Sequence, residues 1–174
     1  PTTTQGRGPT HPLTGSANTR GMVTRCKTNG YVTQEPDATA DLNPLTSEGI
    51  FVFTSSTPPA AAAVGNLVEV TGTISEFIPS ADPGQAPLTE LNSPVTVQIS
   101  TGNPLPAPFF LTTTFPDPAG GFGQLERLES MRVAVTNLEV IAPTQRTVNE
   151  PNATSTLNVV YVCLAHVGSR PLRA

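Results

Sequence analysis

The sequence predicts an all-β fold organised around a small closed barrel, and three observations support this prediction. The 174 residues include 19 prolines, 14 glycines, a single lysine and no tryptophan, which is typical of short strands and turns rather than long helices. The stretch from Gly49 to Phe77 holds two strand patterns joined by a Pro/Ala-rich loop. Asn29-Gly30 separates two further strand patterns and is a strong hairpin signal.

The stretch from Gly49 to Phe77 gives the clearest strand patterns in the chain. Ile50–Phe53 is an unbroken apolar run, which is typical of a strand covered on both faces. From Leu67 onward apolar and polar residues alternate, and this pattern predicts a strand with one face inward. Gly72 lies in the middle of that strand and predicts a bulge or a tight barrel corner.

The other barrel strands are predicted from the same patterns. The first strand is Thr19–Lys27, and the second is Gly30–Gln34 on the far side of the hairpin turn. Leu88–Leu91 and Val95–Ser100 complete a set of five strands, so the barrel is expected to close near residue 100. The predicted barrel domain therefore occupies residues 18–100.

The segments on either side of the predicted barrel differ in composition. Residues 1–17 are rich in Thr, Pro and Gly without periodicity, which predicts an extended N-terminal tail. Residues 101–123 form a Pro/Gly-rich connector that favours extended chain. Residues 124–174 predict a C-terminal β-extension, either packed on the barrel or forming half of a second barrel. The extension contains one short helix of about two turns and two long strands, namely Gln124–Ser130, Met131–Ala142 and Leu157–Val167.

Several segments carry a resemblance to a known family. The stretches TSEGIFVFT, AVGNLVEVTGTISEF, PLTEL, STGNPLPAP and LERLESMRVAV resemble the non-catalytic OB-fold region of large secreted bacterial nucleases. In those proteins the region lies upstream of an endonuclease/exonuclease/phosphatase domain, and the resemblance runs from about Gln5 to Arg173. It implies a five-stranded OB-type Greek-key barrel, an extracellular location and an association with nucleic acid, without the nuclease domain.

The nucleic-acid interpretation depends on the predicted barrel and on a few side chains. OB barrels bind strands across their second and third strands. The candidates on this surface are Tyr31, Phe51 and Phe53 for stacking, and Arg20, Arg25 and Lys27 for phosphates. Alternatively, Phe51 and Phe53 belong to the core, and Arg25 and Lys27 keep the hairpin soluble. Because the net charge is −4, binding is expected to be weak and salt-sensitive, with single-stranded DNA favoured.

An acidic loop, Glu35–Glu48, is the candidate metal site. Asp37, Asp41, Asn43 and Glu48 supply hard oxygen ligands within a short stretch, a composition that suits Ca²⁺. Their spacing does not fit an EF-hand loop, which needs ligands at alternate positions and a central glycine. The alternative is a solvated loop in which Asp37 and Asn43 make local turn hydrogen bonds.

Two cysteines, Cys26 and Cys163, lie in the predicted first and last strands. They are either two thiols buried as small apolar residues or one disulfide that joins the two strands. The extracellular location implied by the resemblance favours the disulfide.

Catalysis is not expected from this sequence. His11 and His166 are the only histidines, and neither lies in a known nucleophile, phosphate-loop or zinc motif.

The alternative to a nucleic-acid-binding domain is a self-assembling extracellular filament subunit, with or without DNA, whose N-terminal tail adds to the sheet edge of a neighbour. No apolar run approaches the length of a membrane span.

Overall fold

A computed structural model describes residues 15–41, 43, 45–80, 83, 86–117, 119–120, 123–145 and 159–164. Regular structure in these residues is mostly β, so the predicted all-β class is confirmed. The strands are β1 Gly15–Lys27, β2 Gly30–Gln34, β3 Gly49–Phe53, β4 Leu67–Phe77, β5 Leu88–Ser100, β6 Phe109–Phe110, β7 Val133–Ala134, β8 Leu138–Gln145 and β9 Val159–Leu164. A short helix, α1, spans Gly123–Glu126, and a 3-10 turn spans Ala60–Ala62. None of the helices in these ranges has the length and apolar character needed to cross a bilayer.

Strands β1 to β5 form one sheet that closes on itself, called the closed sheet below. The strand order is β1-β2-β3-β5-β4, and β4 pairs back with β1. Closure is achieved by the long first strand, because residues 15–22 pair with β4 while residues 22–27 pair with β2. β3 and β5 pair in parallel, whereas the other neighbours pair antiparallel.

The predicted hairpin and the predicted bulge are both confirmed. Lys27 pairs with Gly30 across a two-residue turn at Thr28 and Asn29. The register of β4 against β5 shifts around Gly72, where a Cβ atom would lie 2.9 Å from the Asn92 carbonyl oxygen. Glycine is therefore required at this bulge because the partner backbone approaches too closely for a side chain.

The two predicted pieces of the fifth strand form a single strand, β5, in the structure. Ser93 adopts a positive φ of 50° between them. The left-handed residue interrupts the apolar alternation, but pairing with β4 resumes at Val95.

The core lies inside the closed sheet and consists mainly of apolar side chains. It contains the inward side chains of all five strands and one alanine from the 3-10 turn, which are Val23, Tyr31, Ile50, Val52, Ala62, Val68, Val70 and Leu91. Five strands with one face inward thus enclose a single cluster, as the alternation in β4 predicted.

The region after residue 100 differs from its prediction in several details. The helix ends at Glu126, and the chain then turns through i→i+3 hydrogen bonds from Leu128 to Leu125 and from Glu129 to Glu126. Ser130, with φ of 58°, ends these turns. The strand predicted over residues 131–142 is divided into β7 and β8, and the last strand is shorter than predicted within the described residues.

The chain divides into two compact units. The first contains the closed sheet and includes residues up to Phe109 and from Pro118 to Val133. The second contains Phe110–Asp117 and the chain from Ala134 onward, including the antiparallel pair of β8 and β9. The tail predicted over residues 1–17 is shorter than expected, because residues 15–17 already pair with β4. Residues 1–14 lie outside the described ranges.

Candidate nucleic-acid interface

Four of the six predicted nucleic-acid residues lie on the outer face of the closed sheet, on the hairpin of β1 and β2 and on the neighbouring β3. Phe51 and Phe53 share this face because they alternate with the inward Val52. Phe53 lies opposite Gly30, which in turn pairs with Lys27. Arg25 pairs with Val32, the residue opposite Phe51, so all four residues occupy the same side of the sheet.

Lys27 covers the ring of Phe51. Its Nζ atom lies 4.7 Å from the ring centroid, within the range of a cation–π contact. The ring lies against Gly30, where a Cβ atom would be only 2.5 Å from the Phe51 Cζ atom. As a result Phe51 is 4% exposed, and its ring is not available for stacking while Lys27 covers it.

Phe53 is the aromatic residue of this face that remains half-buried. Its ring centroid lies 6.5 Å from that of Phe51, with the two planes tilted by 50°. Arg25 and Lys27 beside it are exposed. The outer face therefore offers two cationic groups and one partly accessible ring.

Tyr31 lies inside the closed sheet, and its predicted stacking role is wrong. The residue is 0% exposed, and its hydroxyl group lies 2.6 Å from the Thr96 Oγ1 atom. Burial raises the pKa of the Tyr31 hydroxyl above its usual value. The physical reason is the alternation of β2, which turns Tyr31 inward when its neighbour Val32 faces outward.

Arg20 lies on a different part of the closed sheet, where β1 pairs with β4. Its Nε atom donates a hydrogen bond of 2.8 Å to the Glu69 Oε2 atom. The two residues are direct register partners across the strands. Because this carboxylate compensates its charge, Arg20 is a poorer phosphate ligand than sequence alone indicated.

Glu90 is a residue on the candidate face that the sequence did not reveal. It is the β5 partner of Phe51 and is 5% exposed. Burial raises the pKa of its carboxyl group, while hydrogen bonds and the nearby charge of Lys27 act in the opposite direction. The residue was missed because the parallel pairing of β3 with β5 joins segments that are far apart in the chain.

The oxygen atoms of the acidic loop mostly serve the protein itself. Asp37 accepts hydrogen bonds from the Ala107 backbone nitrogen at 2.9 and 3.2 Å. Asp41 Oδ1 accepts from the Asn43 nitrogen, and Asn43 Oδ1 accepts from the Leu45 nitrogen. The turn hydrogen bond expected for Asn43 is confirmed, whereas the bond of Asp37 is long-range rather than local.

Glu48 differs from these residues at one of its carboxyl oxygen atoms. Its Oε1 atom is buried and has no hydrogen-bond partner. Burial, together with hydrogen bonding and repulsion from Asp41 and Glu35, raises the pKa of Glu48 to about 7. Within the residues that the structure describes, no group of three or more His, Cys, Asp or Glu side chains could hold a metal ion. The predicted Ca²⁺ site therefore has no support from the geometry.

Cys26 carries a free, exposed thiol. Its Sγ atom donates to the Ala62 carbonyl oxygen at 3.1 Å, and no disulfide is found at this residue, contrary to the prediction of a bond with Cys163. The reason is the orientation of the thiol toward the 3-10 turn. The side chain of Cys163 and both histidines, His11 and His166, lie outside what the structure describes.

No protein-family model, curated protein or solved structure matches the chain. The resemblance to the OB-fold region of secreted nucleases therefore stays a prediction, and the function has to be inferred from the geometry of the fold and of the candidate face.

Proposed function

We propose that the chain is a secreted, non-catalytic OB-type domain that contacts nucleic acid, with single-stranded DNA favoured. The strand order of the closed sheet supports the OB type. Five strands, a long first strand shared by two neighbours and one parallel pair between β3 and β5 agree with a small Greek-key barrel.

The observation that carries the proposal is the grouping of Arg25, Lys27 and Phe53 on the outer face of β1, β2 and β3. OB domains take nucleic acid strands across this part of the fold. In a chain with a net charge of −4, two exposed cations beside a half-buried ring form a local exception to the acidic surface.

Each of these side chains has a distinct part in the proposed contact. Arg25 and Lys27 pair with successive phosphates, and a base stacks on Phe53. When Lys27 turns toward a phosphate it leaves the Phe51 ring, which then becomes a second surface for stacking. Two phosphate contacts on a single strand give a salt dependence with a slope of about −1.4 in log K against log salt, at about −0.7 for each contact.

Fluorescence anisotropy with a labelled oligothymidine of about 15 nucleotides tests this proposal. The chain is expected to bind the oligonucleotide more tightly than a duplex of the same length. The double variant Arg25→Ala/Lys27→Ala should weaken binding and flatten the salt dependence, and Phe53→Ala should weaken it by about 1–3 kcal/mol. Arg20→Ala is the matched control, because Arg20 is equally cationic but is paired with Glu69. Equal losses for Arg20→Ala and Arg25→Ala/Lys27→Ala, or no binding at low salt, would overturn the proposal.

The non-catalytic part of the proposal has its own test. Supercoiled plasmid DNA incubated with the chain and Mg²⁺ is expected to remain intact. Cleavage that requires the metal and disappears on substitution of one acidic residue would contradict it.

Self-assembly is the second candidate function, and an exposed row on β5 favours it. Val95, Val97 and Ile99 are 65%, 55% and 45% exposed. They lie in the half of β5 after Ser93, which among the described strands pairs with β4 only. This half contains no charged residue, and edge strands without charges are prone to pair with other chains.

Light scattering distinguishes this candidate from the first. A self-assembling subunit should form oligomers, and Val97→Lys should prevent them by placing a charge on the edge. Deleting residues 1–10 tests the predicted role of the N-terminal tail in the same measurement. If the unmodified chain is monomeric at all concentrations tested, self-assembly is excluded for the isolated chain.

A further inference from the structure

A mixed apolar and acidic cleft lies on the first unit and begins where β2 ends, at Gln34 and Glu35. Its volume is about 480 Å³, which falls in the range of sites for small ligands. The acidic loop forms one wall, and the other walls come from residues 107–109 and residues 127–131. The apolar lining includes Pro108, Phe109, Leu128 and Met131.

Most charged residues that line the cleft are acidic, and they differ in how many hydrogen bonds their oxygen atoms already accept. Glu35, Asp37 and Glu48 line it, against Arg127 as the single basic side chain of the lining. The Asp37 carboxylate already accepts from the Ala107 nitrogen. Glu48, in contrast, has a buried Oε1 atom that no group in the described structure satisfies. A buried acceptor of this kind is costly for the protein, and a donor from a ligand would relieve that cost.

We propose that this cleft binds an organic cation, an ammonium or guanidinium group on an apolar body, with Glu48 and Glu35 as its acidic partners. The apolar body packs on Leu128 and Met131, while the cation donates to the carboxylates. The cation also relieves the repulsion among Glu35, Asp41 and Glu48 that the structure places together. This site is distinct from the proposed nucleic-acid contact, because Arg25, Lys27 and Phe53 are not among the residues that line it.

Binding by this site should depend on pH in a defined direction. The Glu48 carboxyl group has a pKa of about 7, so it is largely protonated at pH 6 and largely ionised at pH 8. An organic cation that pairs with the ionised form should therefore bind more tightly at pH 8 and should release protons when it binds.

Butylguanidinium and butylurea are matched probes, because they have a similar shape and only the first is charged. Amide chemical shifts of the full chain should respond to butylguanidinium around Glu48, Leu128 and Met131, and the affinity should rise between pH 6 and pH 8. Butylurea should bind at least about tenfold more weakly. A tripeptide that contains arginine, with an acetylated N-terminus and an amidated C-terminus, is a further probe. Binding of this peptide without binding of butylguanidinium would mean that the cation is supplied by a peptide.

Variants complete the test. Glu48→Gln should lower the affinity for butylguanidinium by about tenfold or more and should remove its pH dependence. Glu69→Gln removes an acid outside the cleft and should change neither. The amide spectrum of each variant shows whether it is folded. Equal affinity for the two probes, unchanged binding by folded Glu48→Gln, or no binding of any probe would overturn the proposal.

Discussion

The closed sheet and the pair formed by β8 and β9 are both made of β-strands rich in apolar residues, yet they bury them to opposite extents. Leu91 in the closed sheet is 0% exposed, whereas Leu138 in the pair is 50% exposed. Val140 and Val162, which lie opposite each other in β8 and β9, are 59% and 42% exposed. Alternation alone therefore does not create a core, because two strands cannot enclose their own apolar face.

Closure is what distinguishes the two regions. Every strand of the closed sheet has two neighbours, and the inward residues of all five meet in one cluster. We therefore expect the free energy of unfolding to be determined mainly by the closed sheet, with a small contribution from β8 and β9.

Matched leucine substitutions give the largest expected difference between the regions. Leu91→Ala should lower the free energy of unfolding by about 2–5 kcal/mol, because it leaves a cavity in the core. Leu138→Ala should change it by less than about 0.5 kcal/mol, because that side chain is half exposed. Urea denaturation followed by circular dichroism measures both. Similar losses for the two variants would remove the distinction between the regions.

Glycine substitutions test how tightly the closed sheet is built. In Gly30→Ala the new Cβ atom would be within 2.7 Å of two atoms of the Phe51 ring and close to the Val52 carbonyl oxygen, so a loss of about 1–3 kcal/mol is expected. Gly123→Ala is the control, because a Cβ atom there meets nothing within 4 Å and alanine favours the helix. Thermal unfolding should show a clear decrease for Gly30→Ala and none for Gly123→Ala. A folded Gly30→Ala of normal stability would indicate a looser sheet than described.

The first unit should also become less stable as the pH rises from about 4.5 to about 7. Burial and the neighbouring carboxylates of Glu126 and Glu76 raise the pKa of Glu129 to about 7, although the Thr89 backbone nitrogen donates to it. The folded state therefore binds more protons than the unfolded state in this range, and deprotonation favours unfolding. Glu129→Gln should recover about 1 kcal/mol at pH 8 and should reduce the pH dependence, after allowance for solvent screening. Denaturation midpoints measured from pH 5 to pH 8 check this prediction.

The opposite result for Glu129 would be informative. If stability rose between pH 5 and pH 7 and Glu129→Gln had no effect on the slope, the carboxyl group would be ionised and satisfied in the folded chain. Glu139→Gln, in β8 of the second unit, is the control.

The smallest effect is expected from removing β8 and β9 altogether. A chain that ends at Thr136 keeps β7 and all five strands of the closed sheet. Its melting temperature should fall by less than about 2 °C, because the removed strands contribute little to the core. A fall well beyond this, measured by calorimetry, would show that the second unit stabilises the first.

The local elements of the closed sheet could be predicted from the sequence. The hairpin turn at Thr28 and Asn29, the apolar run of β3, the alternation of β4 and the bulge at Gly72 all depend on residues within a short stretch. The region after residue 100 was predicted less well, because the turns after Glu126 and the break between β7 and β8 interrupt its patterns.

On the candidate face, too, the sequence predicted the residues but not the contacts between them. The sequence indicated Arg25, Lys27 and Phe53 because they lie on or beside one hairpin. It could not show that Lys27 covers Phe51 or that Arg20 is paired with Glu69 across β1 and β4. These contacts join residues that are far apart in the chain, so no local pattern reports them.

The all-β class, the hairpin, the strands of the closed sheet and the acidic loop follow from the amino-acid sequence alone, because periodicity and turn chemistry are local properties. Long-range packing determines instead that Tyr31 faces the core, that Glu90 lies beside Phe51 and that the Glu48 Oε1 atom is buried in a cleft without a hydrogen-bond partner. The physical reason is that burial and pairing depend on which distant strands become neighbours, and closure of the sheet is what selects those neighbours.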